Sequence, residues 1–399
     1  MRLSKTEKND NENSLFSKRG ENGKMKDFTA GVYRQQREYK SFTPSSINCP
    51  FTWENRQITQ LVEQAANLLG ALNAYAEIVP DVDFSMPMSI AKEAIDSNLI
   101  EGTKTEIDEV VLPQTEIPPI RQEDWQEVQI YIEAVNFAIA ELPRIPISMR
   151  LLKDVHRILM SGVRGLHKAP GEIRRSQNWI GGSSLADALF VPPSPEELPD
   201  LLSDLEKFWH NQSLQLPYLI KVAITHYQFE TIHPFLDGNG RCGRLLIVLQ
   251  LIDAQLLNKP ALYASTFFEK NKVSYYNSLT RVRTANDLEQ WIIFFLIGIV
   301  ETAQHGLKTF KAIITLRQEY DAKILTLGSR ARNAQKLLQN MYATPIINTR
   351  SVEKELDISF SSANRLLKSL TALGVLRETT GHSRNRLFVL EKYLNLFRS

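Results

Sequence analysis

Twelve residues, His233 to Arg244 (HPFLDGNGRCGR), set one imidazole, one carboxylate, three glycines and two arginines beside an apolar helical run, Leu245 to Leu257. Asp237 and Asn239 are good N-cap residues, so the glycines are expected where that helix begins. Backbone N–H groups at a helix N-terminus are unsatisfied and carry the positive end of the dipole, a combination that suits phosphate. Arg241 and Arg244 are three apart, so both can project from the first turn and add charge-assisted contacts. A polyphosphate site with a base and an acid at its lip is a candidate transferase site.

Other readings compete. Gly238, Gly240 and Gly243 fit the dinucleotide pattern G-x-G-x-x-G, but that pattern needs a preceding strand and an acid about 20 residues on. The lead-in Pro217 to Thr231 reads as helix, and Pro234 would interrupt a strand, so this reading is rejected. His226, Glu230 and His233 could ligate a metal from successive turns, with Asp237 beyond, although no second ligand cluster supports them. A purely structural reading explains the glycines as a tight turn, but not the crowding of His, Asp, Asn and two Arg. Cys242 lies beside two arginines in a first turn, a setting that can lower a thiol pKa, and a Cys242–His233 nucleophile is a minor alternative.

The segment resembles the Fic family signature HxFx(D/E)GNGRxxR at His233, Phe235, Asp237, Gly238, Asn239, Gly240, Arg241 and Arg244. HYQFETIHPF (His226 to Phe235) and the helix LLIVLQLI are also similar to Fic proteins. GEIRRSQNWIGG (Gly171 to Gly182), followed by Phe190-Val191-Pro192-Pro193, resembles the family's β-hairpin flap. Tyr275-Tyr276 and the Trp291 helix continue the likeness, which spans Leu61 to Leu307. The resemblance implies transfer of AMP from ATP to a Ser, Thr or Tyr hydroxyl of a target protein. In it, His233 is the general base and Asp237 holds Mg²⁺, a hard cation suited to one carboxylate plus phosphate oxygens. Asn239 and the N–H groups of Gly238 and Gly240 cradle the phosphates, Arg241 serves the β-phosphate side and Arg244 holds the γ-phosphate. Phe235 anchors the loop in the core. Asn178, Trp179, Ile180 and Gly181 of the flap line nucleotide or target, and Tyr275 and Tyr276 border the adenine, with core packing the alternative for Trp179 and for at least one tyrosine.

These residues must be positioned by a mainly α chain. Helical patterns run over Leu61 to Val79, over SIAKEAIDSNLIEG to a C-cap at Gly102, and over Asp124 to Glu141, Ser148 to Ser161, Pro195 to Trp209 and Pro217 to Thr231. Asp287 to Ile324 lacks proline and forms one long helix, or two with a bend near Gly306. Lys26 to Phe51 reads as an extended arm, and the polar stretch Met1 to Lys24 as disordered, with Met25 an alternative start. The domain boundaries expected are 1–24 (extension), 25–120 (N-terminal arm and helical region), 121–307 (catalytic core), 308–328 (linking helix) and 329–399.

Ser97 and Glu101 lie four apart on one helix face, and a glutamate in a last turn is poorly placed for the dipole. On pattern alone Glu101 is an ordinary exposed carboxylate. SNLIEG, however, matches the Fic inhibitory motif (S/T)xxxE(G/N), which implies that Glu101 pairs with Arg244 and blocks productive ATP binding. In the last region, Ala363, Leu366, Leu367, Leu370 and Leu373 form an apolar face opposite Ser361, Ser362, Asn364, Arg365 and Lys368. VLRETTGHSRNRLFVL follows as two strands with a basic tip at His382, Arg384 and Arg386. This resembles a winged helix-turn-helix domain, able to meet DNA or a protein.

The chain has 399 residues, 43% apolar content and a net charge of +2, enough for a sizeable core and without a global drive towards nucleic acid or anionic membrane. Two cysteines make no disulfide framework, and neither a membrane span nor the apolar core of a signal peptide is visible. A cytoplasmic protein without membrane contact is expected, with a target protein, a second copy of itself, and DNA or protein at the C-terminal face as candidate partners. Two other functions stay open: a nucleotide-sensing DNA-binding regulator without turnover, and a phosphodiesterase that removes AMP. An intact His233 favours turnover, because a sensor needs no base.

Overall fold

A computed structural model describes residues 28–78, 82–381 and 386–398, so the polar extension to Lys24 and the basic tip at His382 and Arg384 lie outside the described residues. The expected extended arm is a hairpin of β1 (Gly31–Gln35) and β2 (Lys40–Pro44), with Val32 opposite Thr43. Phe42 is buried, its N–H donates to the Val191 carbonyl at 2.9 Å, and its ring lies 6.2 Å from that of Phe190. The arm therefore braces the base of the flap.

Helices follow: α1 (Arg56–Ile78), α2 (Val82–Ile100), the short α3 (Ile107–Val110), α4 (Gln122–Glu141) and α5 (Met149–Leu159). Beyond the flap come α6 (Leu198–His210), α7 (Tyr218–Ile232), α8 (Asn239–Asp253), α9 (Ser265–Lys270), α10 (Lys272–Ala285) and α11 (Leu288–Leu325). Every residue of α7 from Leu219 to Ile232 is buried. In α8 the same holds from Arg241 to Leu251. Helices buried on all sides lie at the centre of the core, and these two pack against one another. Helix α11 runs 38 residues without a break, so one long helix forms rather than two; a Cβ on Gly306 would come within 3.1 Å of Leu72 of α1. The Trp291 indole N–H donates to Ala223 O at 2.7 Å and ties α11 to α7.

The C-terminal region comprises α12 (Ala331–Met341), β3 (Ile346–Asn348), α13 (Thr349–Leu356), α14 (Phe360–Ala372), β4 (Arg377–Glu378), β5 (Leu387–Val389) and α15 (Glu391–Leu394). The two expected strands are joined by a third, β3, giving the antiparallel order β3-β5-β4. Ala363, Leu366, Leu367 and Leu370 form the buried face of α14, and Asp357 turns the chain between α13 and α14 in the left-handed region (φ 51°). Arg398 pairs with Asp108 of α3, and Lys392 Nζ lies 2.8 Å from Glu319 of α11, so charged contacts join this region to the helical body. No helix among the described residues is long and apolar enough to cross a membrane.

Candidate functional site

The chemistry gathers where α7 ends and α8 begins. His233 closes α7 in the left-handed conformation (φ 51°, ψ 61°), tolerable for a histidine only where the surroundings fix it. Arg174 does the fixing. Its Nε donates to His233 O at 2.9 Å, and its other nitrogens reach the carbonyls of Ile232 (3.4 Å), Pro193 (2.5 Å) and Ser176 (3.3 Å). Its backbone N–H meets Pro234 O at 3.0 Å. Burial pushes this guanidinium down to about 10, with Glu196 and Glu197 working the other way.

The His233 imidazole is held neutral: burial pushes it down to about 4, against the pull of the Glu230 carbonyl. Its Nδ1 lies 3.3 Å from that carbonyl and must be the protonated nitrogen to bond there, which leaves the Nε2 lone pair free. Phe235 is fully buried and stacks on His156, ring centroids 3.8 Å apart. His156 accepts from Gly171 N–H at Nδ1 (2.8 Å) and faces the Asp237 carbonyl with Nε2 (3.0 Å), so it too is neutral, pushed to about 4 by burial.

The N-cap of α8 is neither Asp237 nor Asn239, as the sequence suggested, but Gly238 in the left-handed region (φ 73°), where Met160 leaves no room for a Cβ. Asp237 Oδ1 accepts the Gly238 N–H at 2.6 Å. Asn239 is buried, with Phe235 N–H donating to its Oδ1 (2.8 Å) and its Nδ2 donating to Phe235 O (2.9 Å). Asn178 Nδ2 reaches the same carbonyl at 2.8 Å. Both carboxamides thus shape the loop. The N–H groups of Asn239, Gly240 and Arg241 have no acceptor within α8, by the geometry of a helix start.

The two arginines are occupied by different helices. Arg241 pairs with Glu127 of α4. Arg244, almost fully buried, donates from Nε to Ser97 Oγ (2.9 Å) and from one Nη to Ser97 O (2.9 Å) and Glu101 Oε1 (2.6 Å). Burial pushes the Glu101 carboxyl up, but Arg244 more than offsets this and holds it below its ordinary range, with Arg241 and His233 assisting. A Cβ on Gly240 would run into Glu101 Oε1, so the carboxylate rests on the first turn of α8, where an anion is stabilised. The end of α2 is fastened by Lys272 Nζ on Ile100 O (2.5 Å), and its middle by Glu93, bonded to Tyr131 (3.1 Å) and Ser265 (2.5 Å).

Tyr275 is buried and bonds His226 Nε2 at 2.8 Å, which makes it core, whereas Tyr276 is 41% exposed. His226 uses its second nitrogen on Gly243 O (3.1 Å), so neither is left for a metal, and no cluster of three metal-ligating side chains occurs among the described residues. Burial pushes the Cys242 thiol up to about 12, outweighing the two arginines and removing the minor alternative of a Cys242 nucleophile. Ile180 bridges to Phe190 across the flap, Gly181 turns it (φ 66°), and Trp179 is 41% exposed. Glu127, His156 and Arg174 escaped the sequence reading, while Glu230, considered there as a metal ligand, is a buried carboxyl pushed up to about 7 by burial.

A helix start carrying a neutral histidine and two arginines, under a hairpin flap, defines a class, and the comparisons name it. Residues 146–251 match the Fic/DOC family and residues 59–140 the Fic/DOC family N-terminal region, so this part of the chain is Fic/DOC in kind. It is 28% identical over 168 residues to the protein adenylyltransferase Fic of Drosophila erecta (42% of this chain, 30% of the relative). To that of Aedes aegypti it is 30% identical over 149 residues (37% of this chain, 27% of the relative). The chain thus spans less than a third of the length of these relatives. Among solved structures, a Fic family protein from Desulfovibrio desulfuricans G20 superposes with a TM-score of 0.54 at 20% identity, covering 86% of this chain and 98% of that one. Fic-1 of C. elegans gives 0.51 at 19% identity, over 63% and 72%. These two likenesses establish the fold.

Proposed function

We propose that this chain is a nucleotidyltransferase that moves AMP from ATP to a hydroxyl side chain of a protein target, and that Glu101 holds it shut. The observation that carries this reading is the meeting of three features at one point: the neutral His233, the first-turn N–H groups of α8, and Arg244 held by Glu101. Nε2 of His233 takes the proton of the target hydroxyl. The oxygen attacks the α-phosphorus, its bond to the β-phosphate oxygen breaks, and pyrophosphate leaves. The first-turn N–H groups of α8 and Arg244 stabilise charge on the phosphates, and positioning supplies much of the rate. Asp237 is exposed, and its carboxylate, which accepts only its neighbour's N–H among the described residues, fits a cation bound mostly by phosphate oxygens and water, as Mg²⁺ is. When bound, Mg²⁺ would neutralise phosphate charge. Ile180, Gly181 and Tyr276 border the bound molecules.

Glu101 acts as an internal anion: it occupies both the α8 start and the guanidinium that a γ-phosphate would use. One feature favours a hydrolytic second reading, in which AMP is removed from a modified protein. The Glu101 side chain is 41% exposed and could orient a water. We read residues 329–399 as a winged helix-turn-helix domain, supported by the sheet order and by the exposed Ser361, Arg365 and Lys368 on α14, as a docking face for DNA or protein.

The test is incubation with α-labelled ATP and Mg²⁺. Label should pass to protein weakly with the wild type, strongly with Glu101→Gly and at least about a hundredfold more slowly than that with Glu101→Gly/His233→Ala. Transfer undiminished by loss of His233, or none in Glu101→Gly, would overturn the reading.

A further inference from the structure

Arg241 and Arg244 leave α8 one turn apart, yet their restraints differ in kind. The Glu101 side chain is 41% exposed and can move into water. Glu127, by contrast, is sealed in: its side chain is 8% exposed and that of Arg241 10%, with 2.5 Å between Nη1 and Oε2. Gly162 closes the wall behind it, since a Cβ there would approach Glu127 Oε1 to 3.0 Å. The other Nη of Arg241 packs on Met160 Sδ at 3.5 Å, and its buried Nε has no hydrogen-bond partner. Breaking a buried pair leaves an uncompensated charge, so Arg241 does not turn to a phosphate without cost. A carboxylate in this wall also repels polyphosphate at the start of α8, where water screens little.

We propose that Glu127 is a positioning residue that sets how tightly the site takes polyphosphate, by keeping Arg241 paired with α4 and away from the phosphates. It is a fixed restraint, separate from the releasable one at Glu101. The inference rests on the phosphate-binding part of the reading above, but not on AMP transfer.

Calorimetric titration of inorganic tripolyphosphate, at constant ionic strength, into Glu101→Gly and Glu101→Gly/Glu127→Gln tests it. Glutamine keeps an acceptor for Arg241 and removes the charge. The freed guanidinium should tighten binding roughly tenfold, the scale of one charge-assisted hydrogen bond. KM for ATP should fall alongside while kcat stays within about twofold, a split expected when binding alone changes. Glu127→Asp, which keeps the charge at shorter reach, should fall between the two and decides the question by itself if the glutamine protein does not fold. Unchanged or weaker tripolyphosphate binding in the folded variants overturns the proposal. Tighter binding with no AMP transfer by any variant sinks the transferase reading and leaves this one standing.

Discussion

The loop between α7 and α8 and the exposed face of α14 are both rich in polar residues, but they use them in opposite ways. In and around the loop, the arginines are buried and paired across long stretches of chain: Arg244 with Glu101, Arg241 with Glu127, Arg174 with the His233 carbonyl. On α14 the polar contacts are mostly exposed. Ser359 Oγ caps Ser362 N at 3.3 Å and Arg365 reaches Ser362 at 3.5 Å, while Arg386, just before β5, reaches a half-buried Asn364 at 2.6 Å. A desolvated, positioned charge is worth far more than a hydrated one. Function in the first region should therefore collapse with single changes, while in the second it should erode with many.

The largest effect is expected at His233. In the Glu101→Gly background, His233→Ala should lower AMP transfer by about 10²–10⁴-fold, the usual contribution of a general base. Its Tm should hold, because the loop backbone is fixed by Arg174 and Asn239 rather than by the imidazole. A large fall in Tm would mean that the ring is structural and that the contrast with α14 is overstated.

Next comes Arg174→Ala, which strips hydrogen bonds from four carbonyls around His233. About 2–4 kcal/mol of unfolding free energy should go, as for buried bonds to a charged donor. Transfer should fall even where the protein remains folded. Denaturant melts and rates measured on the same samples separate the two losses. Full activity in a destabilised protein would show that the left-handed His233 needs no such support.

A smaller effect lies in pH. An ordinary histidine base near 6.5 would lose about three quarters of its activity on going from pH 8 to pH 6. With His233 pushed down to about 4 by burial, its protonated, inactive form gains almost nothing above pH 6. The rate in Glu101→Gly should therefore stay flat across that range and fall only as pH approaches the depressed value. An acid limb near 6.5 that vanishes with no other residue's replacement would show that His233 is solvated in the working enzyme. The depressed value favours availability of the base over its strength.

What the sequence disclosed follows the same divide. HPFLDGNGRCGR is contiguous, so its spacing could be read directly, and the Glu101–Arg244 pair could be inferred because a short motif marks the far partner. Glu127, His156 and Arg174 carry no such mark. Their partners lie 114, 81 and 59 residues away, and each reads locally as one polar residue on a helix or in a loop. The Cys242 nucleophile stayed a minor alternative, and burial, an influence larger than the neighbouring charges that the sequence shows, removes it. Asp237 and Asn239 looked like better caps than Gly238, yet the need for a positive φ beside Met160 decides that position. The N-terminal hairpin and β3 were hidden because strands of five and three residues are too short for periodicity to declare.

The smallest single effects belong to α14. Arg365→Ala and Lys368→Ala remove exposed charges outside the buried face, so each should shift unfolding free energy by no more than about 0.5 kcal/mol. AMP transfer in Glu101→Gly should be unchanged by either, since no residue of α14 contributes to the loop. If the face meets DNA, each change should weaken binding alike across sequences and reduce the slope of log affinity against log salt by about 1. Changes at Ser361 or Asn364, nearer to where base edges would lie, should instead relax sequence preference. If the face meets a protein, the salt slope should scarcely move, and loss should concentrate at Phe360, an aromatic 51% exposed at the start of α14. The two outcomes separate on one pair of measurements, the salt dependence of Arg365→Ala and the affinity of Phe360→Ala. A strong loss of transfer in either charge variant would mean that the exposed face of α14 is coupled to the buried loop.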